Sequence, residues 1–225
     1  MMNLFQQLKN VVERLQREKV KFALAGGLAT STYRAEKRTT EDLDLLIYAP
    51  LQSEAIARKI LTDLNLDIRE ARKANLQGGP RHAMRRGSSP LCILVGRKDG
   101  EIGVDFILPD MPWFESALER AQQNIIELGH VNLPAITVED VILAKFFSLS
   151  NDSSRFKDAD DIKSIFQVNH SFDFEYLTLQ MKKLEQIVPP SVEKIVPHIL
   201  LKTSKKVRKN IVNKFKNKFS STQKF

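Results

Sequence analysis

Residues 25–48 read AGGLATSTYRAEKRTTEDLDLLIY, and the way this stretch folds decides how the rest of the chain is arranged. Phe22 to Ala25 is apolar and stops at Gly26-Gly27, so a short strand should end there. The small residues from Leu28 to Tyr33 suit a helix, and DLDLLIY from Asp42 to Tyr48 suits a second strand. Side chains at i and i+2 of a strand point the same way, with Cα atoms about 6.6 Å apart, so Asp42 and Asp44 share a face. Two carboxylates that close repel unless a cation lies between them, a need that divalent ions meet in phosphoryl-transfer sites. Hard ions such as Mg²⁺ (or Mn²⁺) take oxygen ligands of this kind. Gly26 and Gly27 lack Cβ, which lets backbone N–H groups approach a phosphate, and the start of the following helix favours negative charge. A Gly-Gly at a strand end is commonly an ordinary turn, and an Asp-x-Asp is commonly a solvated loop. It is their order, with Arg38 and Thr40 between, that is specific.

Working outward, Leu4, Leu8, Val11, Val12 and Leu15 recur at helical spacing and predict an amphipathic helix over 2–18. A helix is expected over Gln52 to Leu64, giving α/β alternation. Residues 68–90 carry Arg69, Arg72, Lys73, Arg81, Arg85 and Arg86 around Gly78-Gly79-Pro80 and read as a basic connection or edge segment. PLCILVG and EIGVDFIL are strand-like runs joined by RKDG, whose Asp99-Gly100 pair signals a hairpin. Beyond Pro109 helices are expected near 112–122, 137–149, 155–167, 171–187 and 190–201, with one strand around Ile125 to Val131. Thr137 followed by Asp140 resembles a capping box at the start of the second of these helices. Lys145 is the one charged residue within Val141 to Phe147, on an apolar stripe, where it must either extend to water or meet an anion.

With 225 residues, 42% apolar and 28% charged, the chain has the make-up of a packed globular enzyme of one domain or a domain with a small companion. It has no run of the ~20 apolar residues a membrane span needs and no signal-peptide pattern, which predicts a cytoplasmic protein without a membrane span. Cys92, the single cysteine, reads as a reduced, buried strand residue. His82, His130, His170 and His198 lack metal-ligand spacing, which argues against zinc. The net charge of +8 is uneven: nine Lys/Arg follow Leu200 and no acid follows Glu193, which leaves residues 1–200 at −1. The basic tail places Val207, Ile211, Phe215 and Phe219 at intervals of four, a pattern that suits RNA, an acidic partner, a membrane surface or packing on its own domain.

Gly-Gly followed by Arg-x-Thr-x-Asp-x-Asp at Arg38, Thr40, Asp42 and Asp44 resembles the signature of the DNA polymerase beta-like nucleotidyltransferases, in particular the small bacterial stand-alone group that includes abortive-infection toxins. The resemblance covers about residues 20–165. It implies an α/β (α+β) fold: a small mixed sheet flanked by helices, followed by a helical C-terminal subdomain. The expected divisions are a nucleotidyltransferase core at 1–136, a helical subdomain completing the nucleotide cleft at 137–200, and the basic tail at 201–225. It further implies that Asp42, Asp44 and a third carboxylate from a neighbouring strand bind metal, and Asp105 in GVDFIL fits that third place. Gly26, Gly27, Arg38, Thr40 and Lys145 would hold the nucleoside triphosphate. Arg155, Lys157, Asp158 and Asp161 match a basic residue and Lys-Asp-x-x-Asp run found in toxin-like members, which adds Asp158 and Asp161 to the nucleotide site. The implied reaction is attack of an acceptor hydroxyl on the α-phosphate, with Asp105 as a metal ligand that also accepts the proton. The acceptor would be tRNA or another RNA, a protein hydroxyl or a small molecule such as an aminoglycoside; the tail favours RNA, and the toxin group implies an antitoxin partner. Tyr33-Arg34 and Ala35-Glu36 stand where relatives commonly carry His-Gly, a departure that leaves the carboxylates untouched. The competing readings are a catalytically inactive module of this fold that binds RNA or a protein, and a nucleic-acid binder that works through its tail.

Overall fold

The structure, a computed structural model, describes residues 3–36, 39–72, 90–169 and 171–222, with side chains described as far as residue 214. Helix α1 (Leu4–Arg17) begins at Asn3, whose side chain accepts from the Gln6 backbone N–H while the Gln6 side chain returns to the Asn3 N–H. Its stripe of Leu8, Val11, Val12 and Leu15 is buried, as the spacing requires. Next come β1 (Lys21–Leu24), α2 (Gly26–Ser31), β2 (Asp42–Tyr48), α3 (Ser53–Asp63), β3 (Asp67–Arg72), β4 (Leu91–Arg97), β5 (Gly103–Ile107) and α4 (Phe114–Ala121). The remaining elements are β6 (Ile125–Leu128), β7 (Val131–Pro134), α5 (Val138–Asn151), α6 (Phe156–Val168), α7 (Phe174–Lys183), a 3₁₀ turn at Pro190–Val192 and α8 (His198–Thr222).

Five strands form one mixed sheet in the order β1-β2-β5-β4-β3, in which only β2 and β5 run parallel. The Asp99-Gly100 turn makes β4 and β5 a hairpin, with Gly100 in the left-handed region that such a turn demands. Leu43, Leu45 and Ile47 of β2, Val104 and Phe106 of β5, and Cys92 and Leu94 of β4 are buried. Helices α1, α2 and α3 contact β2, and α3 also contacts β3 and β4. Helix α5 starts where the capping pattern predicts, with Thr137 Oγ1 donating to Asp140 Oδ2 at 2.9 Å.

One expected helix and one expected strand change, and the basic segment takes one of its two expected forms: the helix near 190–201 is the 3₁₀ turn at Pro190–Val192 followed by α8 from His198. Ile125 to Val131 is not one strand: Ile125–Leu128 pairs with Val131–Pro134 as a separate two-stranded sheet, because Gly129 and His130 both adopt left-handed φ and reverse the chain. The basic segment begins as strand β3, an edge strand bonded to β4, while residues 73–89, which include Lys73, Arg81, Arg85 and Arg86, lie outside the described residues.

The chain forms two compact units, Met1–Val141 and Ile142–Phe225, which divide within α5. The second is helical. Its basic tail belongs to α8, whose Leu200, Thr203, Ser204 and Val207 are buried, with Ser204 Oγ accepting from Val188 N at 3.1 Å. No described helix is long and apolar enough to cross a membrane.

Candidate active site

In the first unit the glycine turn and the acidic pair are joined through the backbone: Ala25 N donates to Asp44 O at 2.8 Å, at the end of β1. Gly26 then takes φ +59°, and a Cβ built there would lie 1.8 Å from Asp44 Oδ2. Glycine is therefore needed twice over at this position, for its backbone conformation and for the approach of a carboxylate. Gly27 N points at the same Asp44 oxygen, at 3.4 Å. Tyr33 secures the chain beyond α2: its hydroxyl donates to Ile136 O at 3.0 Å and accepts from Asn124 Nδ2 at 2.8 Å. Burial pushes that phenol above its ordinary pKa, against the lowering effect of Asn124.

The register of the parallel pair places the third acid. Asp44 lies opposite Asp105 and Asp42 opposite Gly103, so all three carboxylates emerge on one face of β2 and β5. Thr40 Oγ1 donates to Asp42 O at 3.4 Å, close to the first of them. Asp105 is more enclosed than Asp42, its side chain 14% exposed against 40%. Burial raises the Asp105 carboxyl above the usual range, and hydrogen bonding and charge from Arg97 pull the other way.

Arg97 was not foreseen. It ends β4, two residues after Val95, which pairs with Asp105, so its side chain rises on the acidic face. Its Nη1 donates to Asp105 Oδ1, its Nη2 to Asp105 Oδ2 at 3.0 Å, and Nη2 lies 3.1 Å from Asp42 Oδ2. The guanidinium crosses over Gly103, where a Cβ would come within 2.4 Å of Asp42 Oδ1 and 2.8 Å of Arg97 Nη1. In sequence Arg97 looks like the first polar residue of a turn. The signal that could have revealed it is the hairpin register, which sets it diagonal to Asp105.

The acidic face tests well for a divalent ion in donor chemistry and less simply in arrangement. Its oxygens suit Mg²⁺ or Mn²⁺, and they already gather around a cation. Among the described residues, however, no three His, Cys, Asp or Glu side chains stand grouped as an ion would need, because Arg97 lies between Asp42 and Asp105.

The second unit carries a cluster of its own. Lys145 is buried and meets anions rather than water: Nζ donates to Asp158 Oδ1 at 2.9 Å and to Asp161 Oδ2 at 2.5 Å. Arg155 Nε donates to Asp158 Oδ2 at 2.5 Å. Burial tends to raise the Asp158 carboxyl, but Lys145 and Arg155 outweigh it and hold the group below its ordinary pKa. Phe156, at the start of α6, is 80% exposed beside this cluster in sequence. Arg38 lies outside the described residues.

The model of the family described as "Nucleotidyl transferase AbiEii toxin, Type IV TA system" matches residues 11–207. No curated protein matches by sequence. Among solved structures, an antigenic nucleotidyltransferase-like protein from Paracoccidioides brasiliensis is similar at 17% identity and TM-score 0.44, over 95% of this chain and 89% of that one. ANT(2″)-Ia, solved with adenylyl-2″-tobramycin, is similar at 14% identity and TM-score 0.47, over 79% of this chain and 94% of its own. A nucleotidyltransferase-fold protein from H. pylori gives 13% identity and TM-score 0.41, over 92% and 93%.

Proposed function

Because this chain belongs to the AbiEii nucleotidyltransferase toxin family, we propose that its nucleotidyl transfer takes place on the sheet face carrying Asp42, Asp44 and Asp105. The observation that supports this reading is the pairing of Asp44 with Asp105 across β2 and β5, with Gly26 packed against Asp44. In the proposed reaction an acceptor hydroxyl attacks the α-phosphate of a nucleoside triphosphate and pyrophosphate leaves. Asp42, Asp44 and Asp105 are the residues that would hold Mg²⁺ or Mn²⁺. Such an ion, when bound, supplies charge stabilisation for the phosphoryl oxygens.

The other roles belong to the chain. Asp105, whose carboxyl is raised by burial, is the acid we assign to take the proton of the attacking hydroxyl. Gly26 and Gly27 would let the backbone approach the triphosphate, with Arg38 and Thr40 steadying it. For Lys145, Asp158 and Asp161 we propose a division of labour. The two carboxylates fix the ammonium by taking two of its three N–H donors, and the third remains for a phosphate oxygen.

The acceptor we favour is RNA. Lys202, Lys205, Lys206 and Lys209 are exposed on α8 while Val207 anchors that helix in its own unit. A cationic face of this kind gains affinity by releasing counterions from phosphates. The family's place among type IV toxin–antitoxin systems supports pairing with an antitoxin.

The deciding experiment measures label transfer from each of the four α-³²P nucleoside triphosphates to cellular RNA, with Mg²⁺, for the native chain and Asp44→Ala. We expect transfer by the native chain and a loss of about 10²–10³-fold in the variant, the usual scale for removing one electrostatic contributor. Equal transfer by both proteins would refute the assignment of the site.

A further inference from the structure

Arg97 belongs to neither the glycine turn nor the acidic signature, yet its guanidinium grips two of the three carboxylates. Building on the reading of Asp42 and Asp105 as metal ligands, we infer that Arg97 is an internal counter-ion that a divalent cation must displace, so that the resting site is closed by a cation of its own chain.

The geometry is specific. A guanidinium is a planar fork of donors, and here Nη1 and Nη2 engage both oxygens of Asp105 while Nη2 also reaches Asp42 Oδ2 at 3.1 Å. Asp44 is near enough for its charge to act on Arg97 as well. Only the missing side chain at Gly103 allows the crossing, since a Cβ there would meet Asp42 Oδ1 and Arg97 Nη1 together. Carboxylates this close in a half-buried strand face need a positive partner to remain ionised. Arg97 supplies it, and an ion bridging Asp42 and Asp105 would compete for the same oxygens.

Displacement is feasible at this position. The Arg97 side chain is 32% exposed, so a released guanidinium returns to water at little desolvation cost. Arginine stays charged throughout, so the exchange is of one cation for another and moves no proton. The consequence is a higher metal requirement: the affinity of the native site for a free divalent ion is reduced by whatever Arg97 gains from the two acids.

The test is a Mn²⁺ titration of the full chain without nucleotide, followed by the electron paramagnetic resonance of free Mn²⁺ and by the rise in Tm that Mn²⁺ produces. Arg97→Gln should bind Mn²⁺ about fivefold more tightly than the native chain, some 1 kcal/mol, and show the larger rise in Tm. Arg97→Lys, which keeps the charge but not the fork, should fall between them and serves if the glutamine variant fails to fold. Asp105→Asn should weaken binding in every background. If Arg97→Gln and Arg97→Lys bind Mn²⁺ no more tightly than the native chain while Asp105→Asn weakens it, the counter-ion role is overturned and the metal ligands stand. If neither native chain nor variants bind Mn²⁺, both readings fall.

Discussion

The two charged clusters are built alike, except that Arg155 also bonds Asp158 in the second, and they have opposite settings. In each, one cation lies between two aspartates: Arg97 between Asp42 and Asp105 in the first unit, Lys145 between Asp158 and Asp161 in the second. Lys145 and its partners are buried, with Asp161 fully enclosed, whereas Arg97 and Asp42 are each about one-third or more open to water. Burial makes the second cluster costly to break, since a carboxylate that loses Lys145 stays in a poorly polarisable setting where its charge is hard to compensate. Exposure makes the first one exchangeable, because water and ions compete for each of its members. Similar chemistry is thus a brace in one unit and a replaceable closure in the other.

The sharpest way to break this comparison is to remove both cations in turn. Lys145→Met leaves Asp158 and Asp161 buried together and should cost about 3–5 kcal/mol of unfolding free energy, read by urea denaturation. A loss as small as that expected for an exposed pair would show that the buried cluster is not a brace.

Next in size is the glycine turn. Gly26→Ala forces a side chain into a left-handed residue and into Asp44 Oδ2, and should cost about 1–3 kcal/mol. It should also suppress label transfer by moving Asp44. Gly27→Ala, at a residue whose φ is not positive, provides the contrast, and equal effects of the two substitutions would contradict the role given to Gly26.

These contrasts also mark how much could be read beforehand. The strand β2 and its two acids were legible because alternation and the i, i+2 spacing are local properties. The same holds for α1, whose stripe and cap lie within one turn or two of each other, and for the hairpin at Asp99-Gly100. Asp105 was found because an acid stands out in an apolar strand, although its partnership with Asp44 depends on a parallel register that no local pattern specifies. Arg97 was missed for that reason: its meaning exists only across three strands. The Gly129-His130 reversal was hidden because a histidine with positive φ gives little warning, so a hairpin looked like one strand. For Lys145 the residues alone allowed water or an anion, and burial decided for the anion.

A pH series sharpens the difference further. Asp158 has a folded pKa below its unfolded value. Its contribution to stability is therefore fully present above the unfolded value and is lost as pH falls through the folded one. Asp158→Asn should flatten the acid limb of the chain's stability curve, by up to about 1.4 kcal/mol for each pH unit over which that single group titrates. Asp105 has the opposite shift, raised above its ordinary value, so its ionisation opposes folding as pH rises, and Asp105→Asn should improve stability near neutral pH. A variant of either residue that moved the curve in the other direction would contradict the burial and pairing described.

The smallest expected effect is the one that best separates closure from brace. Arg97→Gln removes a partly exposed cation, and such pairs contribute no more than about 1 kcal/mol. The loss is reduced further because the side chain of Asp42 can then relax toward water. Gly103→Ala should act in the same direction without touching a charge, since the added methyl falls between Asp42 Oδ1 and Arg97 Nη1, both ends of flexible side chains that can give way. Both variants should therefore unfold within about 1 kcal/mol of the native chain. A loss of several kcal/mol in Arg97→Gln, matching Lys145→Met, would make the two clusters equivalent and remove the physical reason for treating Arg97 as displaceable.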